Sequence, residues 1–133
     1  ETFYFKPESG GLLISPADET VVEPHDAFAD DLDVAVGIDR VQGVLDLPVR
    51  RVLHTWAGLR SFAADRTPVV GFDPTAPGFF WLAGQGGYGI QTAPAMGRTA
   101  AALAAGDPLP ADLQDLGVMA AALSPGRFRS APA

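Results

Sequence analysis

Cysteine is absent from the 133 residues. That excludes a disulfide framework and any thiolate metal site. His25 and His54 are the only histidines, too few for a zinc or iron centre. Basic side chains are also scarce. Nine Lys and Arg stand against sixteen Asp and Glu, a net charge of −7 that repels phosphate backbones, and no basic run interleaved with aromatics overrides it. Nucleic acid and metal are therefore not expected partners. No apolar run approaches the ~20 residues that span a bilayer, and no basic-then-apolar leader is present. The chain reads as soluble. It starts without Met, in what reads as a strand, so an upstream portion is expected to precede it.

Apolar residues make up 47% of the chain, enough for one ordinary domain with its own core. The 15 Gly and 12 Pro argue for a turn-rich mixed structure rather than a helical bundle. The fold class expected is α/β in the broad sense, α+β in detail, without internal repeats.

Thr2 to Lys6 is aromatic-rich and strand-like. Pro7-Glu8-Ser9-Gly10-Gly11 then supplies turn residues that let Leu12 to Ser15 fold back as a hairpin. Thr20 to Glu23 suggests a further short strand. Val34, Ile38, Val41 and Leu45 recur at helical spacing behind Asp30, Asp31 and Asp33, whose charges suit a helix amino terminus; Gly37 and Gly43 weaken that helix. Val52 to Phe62 reads as a long strand, with His54, Trp56, Gly58, Arg60 and Phe62 on one face. Val69 to Phe72 and Phe79 to Ala83 are strand-like runs bounded by turn residues. After them come the loop Gly84 to Gly89 and an Ala-rich helix from Ile90 to Ala105, closed by Gly106 and Pro108. In that helix Pro94 fits only the first turn, and Met96, Ala100 and Leu103 form the buried stripe. One short helix, Ala111 to Leu123, is expected in the tail.

Gly84, Gly86 and Gly89 match GxGxxG between a strand and a helix. A dinucleotide unit also needs a second parallel strand ending in an acid, and Asp107-Pro108-Leu109-Pro110 offers none. What remains is the electrostatics of a helix amino terminus, which stabilises an anion such as a reduced flavin. A tight turn with close helix packing is the plain alternative. Arg60 stands beside Gly58 and between aromatic residues, where a guanidinium suits a bidentate pair with a carboxylate; an ion pair with one of the many Asp is its structural alternative. Tyr4 could donate a second hydrogen bond, or be core with its hydroxyl at the rim.

The segments YFKPESGGLLISP, HTWAGLRSF and GFFWLAGQGGYGIQTAPAMG, taken together, resemble the amino-acid-oxidase family of flavoproteins, most closely the bacterial D-arginine dehydrogenase type. The likeness runs from Tyr4 to the SPGRF tail. It implies a mixed sheet of the substrate-binding domain (residues 1–65) joined to the last strand and helix of an FAD-binding domain (66–133). It implies oxidation of D-amino acids to imino acids by hydride transfer to FAD. Arg60 would clamp the substrate carboxylate and Tyr4 would hydrogen-bond it. Gly58 would lie by the ligand, and Gly87 would offer backbone near the substrate amine. Gly86, Gly87, Tyr88, Gly89, Ile90, Gln91 and Thr92 would meet the flavin's pyrimidine edge, with Gln91 and Thr92 placed toward ring and substrate. The family's amino-terminal fingerprint for the ADP half of FAD is missing. The partners implied are thus a D-amino acid and an amino-terminal FAD-binding half, and the chain alone is expected to be inactive and to retain FAD poorly. A bacterial setting would place it in the cytoplasm or against the inner membrane. The competing class is a non-catalytic fragment or small-acid-binding module, with self-association across strand edges.

Overall fold

The computed structural model describes residues 3–129. The chain divides into two compact units, Glu1–Leu59 and Arg60–Ala133, and each is described by itself.

In the first unit, β1 (Tyr4–Glu8) and β2 (Gly11–Ser15) pair antiparallel, Tyr4 opposite Ser15 and Glu8 opposite Gly11. The turn is shorter than the five residues expected. Only Ser9 (φ 47°) and Gly10 (φ 77°) form it, both left-handed, as a two-residue hairpin loop that follows the strands' twist requires. Pro7 sits within β1, which a two-stranded ribbon tolerates because each strand has a free edge. Helix α1 (Asp31–Gln42) is capped by Asp30, whose carboxylate accepts the N–H groups of Leu32 (2.8 Å) and Asp33 (3.4 Å). α1 packs on β2, and Val41 is fully buried. Gly37 works for this packing rather than against the helix: a Cβ there would lie 3.4 Å from both Ile14 Cγ2 and Pro16 Cδ. Gly43 stops α1 before Leu45.

Two expected strands do not form. Thr20 to Glu23 is exposed irregular chain. Val52 to Phe62 is not a strand either. Its alternation survives locally, as in the adjacent His54 and Trp56 rings (centroids 5.6 Å apart), but only Phe62 finds a β partner, in an isolated antiparallel bridge to Gln85. A strand is stabilised by its cross-strand neighbours, and no described segment pairs with residues 52–61.

In the second unit, β3 (Val69–Phe72) and β4 (Phe80–Ala83) form an antiparallel hairpin, Val69 opposite Ala83 and Phe72 opposite Phe80. Asp73 organises its turn. That carboxylate accepts from Thr75 N (2.7 Å), Thr75 Oγ1 (2.7 Å), Ala76 N (3.1 Å) and Trp81 Nε1 (2.8 Å). These donors, the Trp81 indole above all, hold the Asp73 carboxyl down at about 2. After Gly84 and Gln85, a 3₁₀ turn (Gly86–Tyr88) leads into α2 (Gly89–Ala105), which packs on β3. Pro94 is the sixth residue of α2, beyond the first turn, so the Ile90 carbonyl lacks the N–H that a regular helix would give it. Thr99 is the most buried residue of α2, while Met96, Ala100 and Leu103 are half-buried. Gly106 (φ 79°) ends α2 as expected. Its N–H donates to Leu103 O, and Asp107 N–H donates to Ala102 O, closing the helix end.

The single tail helix is instead two, α3 (Ala111–Asp115) and α4 (Ala120–Leu123), because Gly117 turns left-handed (φ 85°) between them. A 3₁₀ turn (Pro125–Phe128) follows. Val70, Leu109, Leu113 and Leu123 are the buried apolar side chains of this unit. The overall class is mixed, with two small antiparallel sheets and helices.

Candidate functional site

The glycine loop between β4 and α2 is built by close approach of two chain segments. Residues 61–63 run beside 84–86: Phe62 bridges Gln85, the Ser61 carbonyl accepts the Gly86 N–H at 3.0 Å, and a Cβ at Gly84 would meet Ala63 N at 3.4 Å. Gly84 (φ 72°) and Gly86 (φ 55°) both take left-handed backbone that side-chain-bearing residues resist. At Gly86 space forbids a side chain as well, since its Cβ would stand 2.3 Å from Phe62 Cε1.

Arg60 reaches this loop. Its Nη1 lies 3.0 Å from where a Cβ on Gly87 would be, so the guanidinium rests directly over the Gly87 backbone. Arg60 is exposed in this chain, not sunk in a strand as the sequence suggests. The guanidinium carbon of Arg66 lies 4.5 Å from the Phe62 ring centroid, and that of Arg60 5.9 Å. Cations therefore gather on one aromatic ring at the mouth of a bare glycine loop.

α2 begins in the same place. No side chain caps its amino terminus, and its first turn carries no acid. No described side chain therefore competes with an outside acceptor at this helix end, which follows directly on the 3₁₀ turn. Tyr88, Ile90 and Gln91 are exposed, Ile90 at 96%. Thr92 is already engaged: its hydroxyl donates to the Tyr88 carbonyl at 2.7 Å. It can face a ligand only as an acceptor.

The residues expected at a substrate site divide between the units. Arg60, Gln91 and the Gly86 to Thr92 segment belong to the second, where Arg60 meets Gly87. Tyr4 and Gly58 belong to the first. Tyr4 is half-exposed in β1 opposite Ser15, and a Cβ on Gly58 would touch nothing within 4 Å.

Sequence reasoning overlooked Arg127 altogether. Its guanidinium donates to Asp65 Oδ2 (2.7 Å) and Oδ1 (3.0 Å) and to the carbonyls of Thr67 (2.6 Å), Leu123 (2.8 Å) and Ser124 (3.1 Å). It binds the turn after Phe62 to the tail. The Arg127 hydrogen bonds hold the Asp65 carboxyl at about 2. Among the described residues no group of His, Asp and Glu is arranged to hold a metal ion, and no helix is long and apolar enough to cross a membrane.

A glycine loop leading into a helix end that no side chain caps can border a planar group that carries negative charge, as a reduced flavin does. Glycine backbone lets a ring approach closely, and the helix end favours negative charge. The chain is 35% identical over 136 aligned positions to the tRNA 5-methylaminomethyl-2-thiouridine biosynthesis bifunctional protein MnmC of Caulobacter sp. (strain K31), an alignment covering 96% of this chain and 21% of that relative. The chain thus spans about a fifth of that protein's length. The family model described as FAD dependent oxidoreductase matches residues 1–103, and the chain belongs to that family.

Proposed function

We propose that this chain is the carboxy-terminal portion of an FAD-dependent oxidoreductase that oxidises D-amino acids, and that Arg60 anchors the substrate carboxylate beside the flavin. The observation that carries this reading is the Arg60 guanidinium lying over Gly87 at the opening of α2. An anion held there has its neighbouring carbon next to the loop that would meet the flavin edge.

FAD, if bound, would supply the acceptor for a hydride from the substrate α-carbon, and the imino acid so formed would be hydrolysed by water to an oxo acid and ammonia. The chain's own residues bind and orient. Arg60 makes a two-pronged pair with the carboxylate. Tyr4 adds a hydrogen bond to it, with Gly58 leaving room for the ligand. The Gly87 backbone faces the substrate amine. Gly86 through Thr92 would border the ring, with Gln91 and Thr92 toward ring and substrate, and the amino terminus of α2 would stabilise negative charge there. In this reading residues 1–65 join the substrate-binding domain and 66–133 the FAD-binding domain. The ADP half of FAD is held by a preceding segment, so the chain alone binds FAD weakly and turns nothing over.

A second reading is favoured by the 35% identity to MnmC, whose name assigns that protein to the making of 5-methylaminomethyl-2-thiouridine in tRNA. Here the oxidised group is an amine carried on a tRNA base. The chain's net charge of −7 weighs against tRNA contact by these residues themselves.

Anaerobic mixing of candidate substrates with the complete, flavin-loaded protein, its amino-terminal FAD-binding half present, tests both. Bleaching of the oxidised-flavin band by D-amino acids, with release of the oxo acid, is the expected result. Bleaching only by tRNA bearing an amine-substituted uridine would replace the first reading with the second. No bleaching by either class would overturn both.

A further inference from the structure

The Phe62 ring fills the space that Gly86 leaves open. A Cβ on Gly86 would lie 2.3 Å from Cε1, 2.8 Å from Cδ1 and 3.0 Å from Cζ of Phe62, so the ring lies against the bare Cα. Backbone bonding in this stretch is thin, namely the Phe62–Gln85 bridge and the Gly86 N–H to Ser61 carbonyl bond. A loop with glycine at 84, 86, 87 and 89 has little stiffness of its own. Its height above the neighbouring segment is therefore set by what is wedged beneath it. Two residues before that wedge stands Arg60, whose Nη1 reaches over Gly87, and the Arg66 guanidinium covers the Phe62 ring at 4.5 Å from its centroid.

We infer that Phe62 is a positioning residue: its ring fixes the separation between the Arg60 guanidinium and the glycine loop, and so the spacing between the substrate carboxylate and the flavin edge. This rests on the proposed role of Arg60 and adds to it. In this role Phe62 acts through Gly86 and Arg60 rather than by contact with substrate or flavin. Without the ring, the loop sinks toward residues 61–63, and an anion held by Arg60 no longer stands at the right height above the ring edge.

The test uses the complete flavoprotein of which this chain is the carboxy-terminal portion, in six forms: the parent, Phe62→Tyr, Phe62→Leu, Phe62→Ala, Arg60→Ala, and the Arg60→Ala/Phe62→Ala double variant. Benzoate, a carboxylate with no oxidisable amine, is the probe, titrated through its perturbation of the flavin absorption at equal flavin content. Phe62→Ala is expected to shift the flavin band and weaken benzoate on the order of tenfold, with the double variant weaker than the parent by far less than the product of the single effects. Phe62→Tyr, which keeps the ring, should stay within about threefold of the parent. If Phe62→Ala does not fold, Phe62→Leu carries the same expectation with a smaller shift. Unchanged benzoate affinity in the flavin-loaded Phe62 variants, or single effects that multiply fully, overturns the inference while leaving Arg60 as the anchor. If Arg60→Ala itself binds benzoate like the parent, the carboxylate reading falls. The flavin band then decides for Phe62: a shift in Phe62→Ala upholds its hold on the loop, and an unshifted band overturns it.

Discussion

Arg127→Ala removes a side chain that is 12% exposed and serves five acceptors, three of them main-chain carbonyls. At about 1 kcal/mol net for each carbonyl bond, the loss is about 3 kcal/mol. The Asp65 carboxylate faces water, which screens its pairing and keeps that contribution small. For a domain of this size 1 kcal/mol corresponds to roughly 4 °C in Tm, so thermal unfolding of Arg127→Ala followed by circular dichroism should fall on the order of 10 °C below the parent. The largest loss of amide protection should appear in residues 61–67 and 123–129, the two stretches that the guanidinium joins. Arg127→Lys should recover less than half of the loss, because an ammonium has three donors and no planar fork. A Tm within about 3 °C of the parent would show that water replaces the guanidinium at these carbonyls and would refute the reasoning.

Acid should weaken the second unit in a defined window. The Asp65 and Asp73 carboxyls lie at about 2 in the folded chain, below their ordinary 3.8, so the stability they contribute is complete above about pH 4 and is lost as pH falls toward 2. Urea midpoints measured from pH 5 to pH 2 should trace that loss, and Asp73→Asn should flatten it; an unchanged slope in the variant contradicts the assignment. Gly106→Ala puts a side chain at φ 79° and should cost about 1 kcal/mol in urea unfolding. Asp30→Ala leaves the Leu32 and Asp33 amides of α1 without their acceptor and should cost about 1 kcal/mol, seen as fraying of α1 in amide exchange.

Local signals were legible wherever a residue acts on its own neighbours. The Asp30 cap, the helix after the glycine loop and the Gly106 stop are of this kind. So is the first hairpin, although the Pro7 to Gly11 turn shrinks to Ser9 and Gly10 once Pro7 and Glu8 join β1, and so are the strands β3 and β4, though not their pairing. The alternation of Val52 to Phe62 was equally legible, yet alternation states only which faces a strand would have and does not supply a partner. Gly37 was misjudged for a related reason: propensity counts it against α1, whereas the approach of Ile14 and Pro16 makes it useful. Arg127 left no trace in the sequence. It and Asp65 stand 62 residues apart, and no spacing rule connects an arginine in a tail turn to an aspartate in a distant loop. Arg60 stood out for its glycine and aromatic neighbours, but its resting place over Gly87 came from a loop geometry that only the structure displays.

The central claim is that Arg60 anchors the substrate carboxylate. Its most direct test is kcat/KM of Arg60→Ala against Tyr4→Phe in the complete flavoprotein, with one D-amino acid and one electron acceptor. Arg60 is exposed in this chain, so the pair is desolvated only where bound substrate and flavin cover it. Breaking it there costs about 2–5 kcal/mol, and about 1.4 kcal/mol is tenfold, so Arg60→Ala should lose on the order of thirtyfold or more, mainly through KM. Tyr4→Phe, which removes one hydrogen bond to a charged group, should be the milder change. If Arg60→Ala keeps kcat/KM within about threefold of the parent at intact flavin content, less than 1 kcal/mol is at stake and Arg60 is not the anchor.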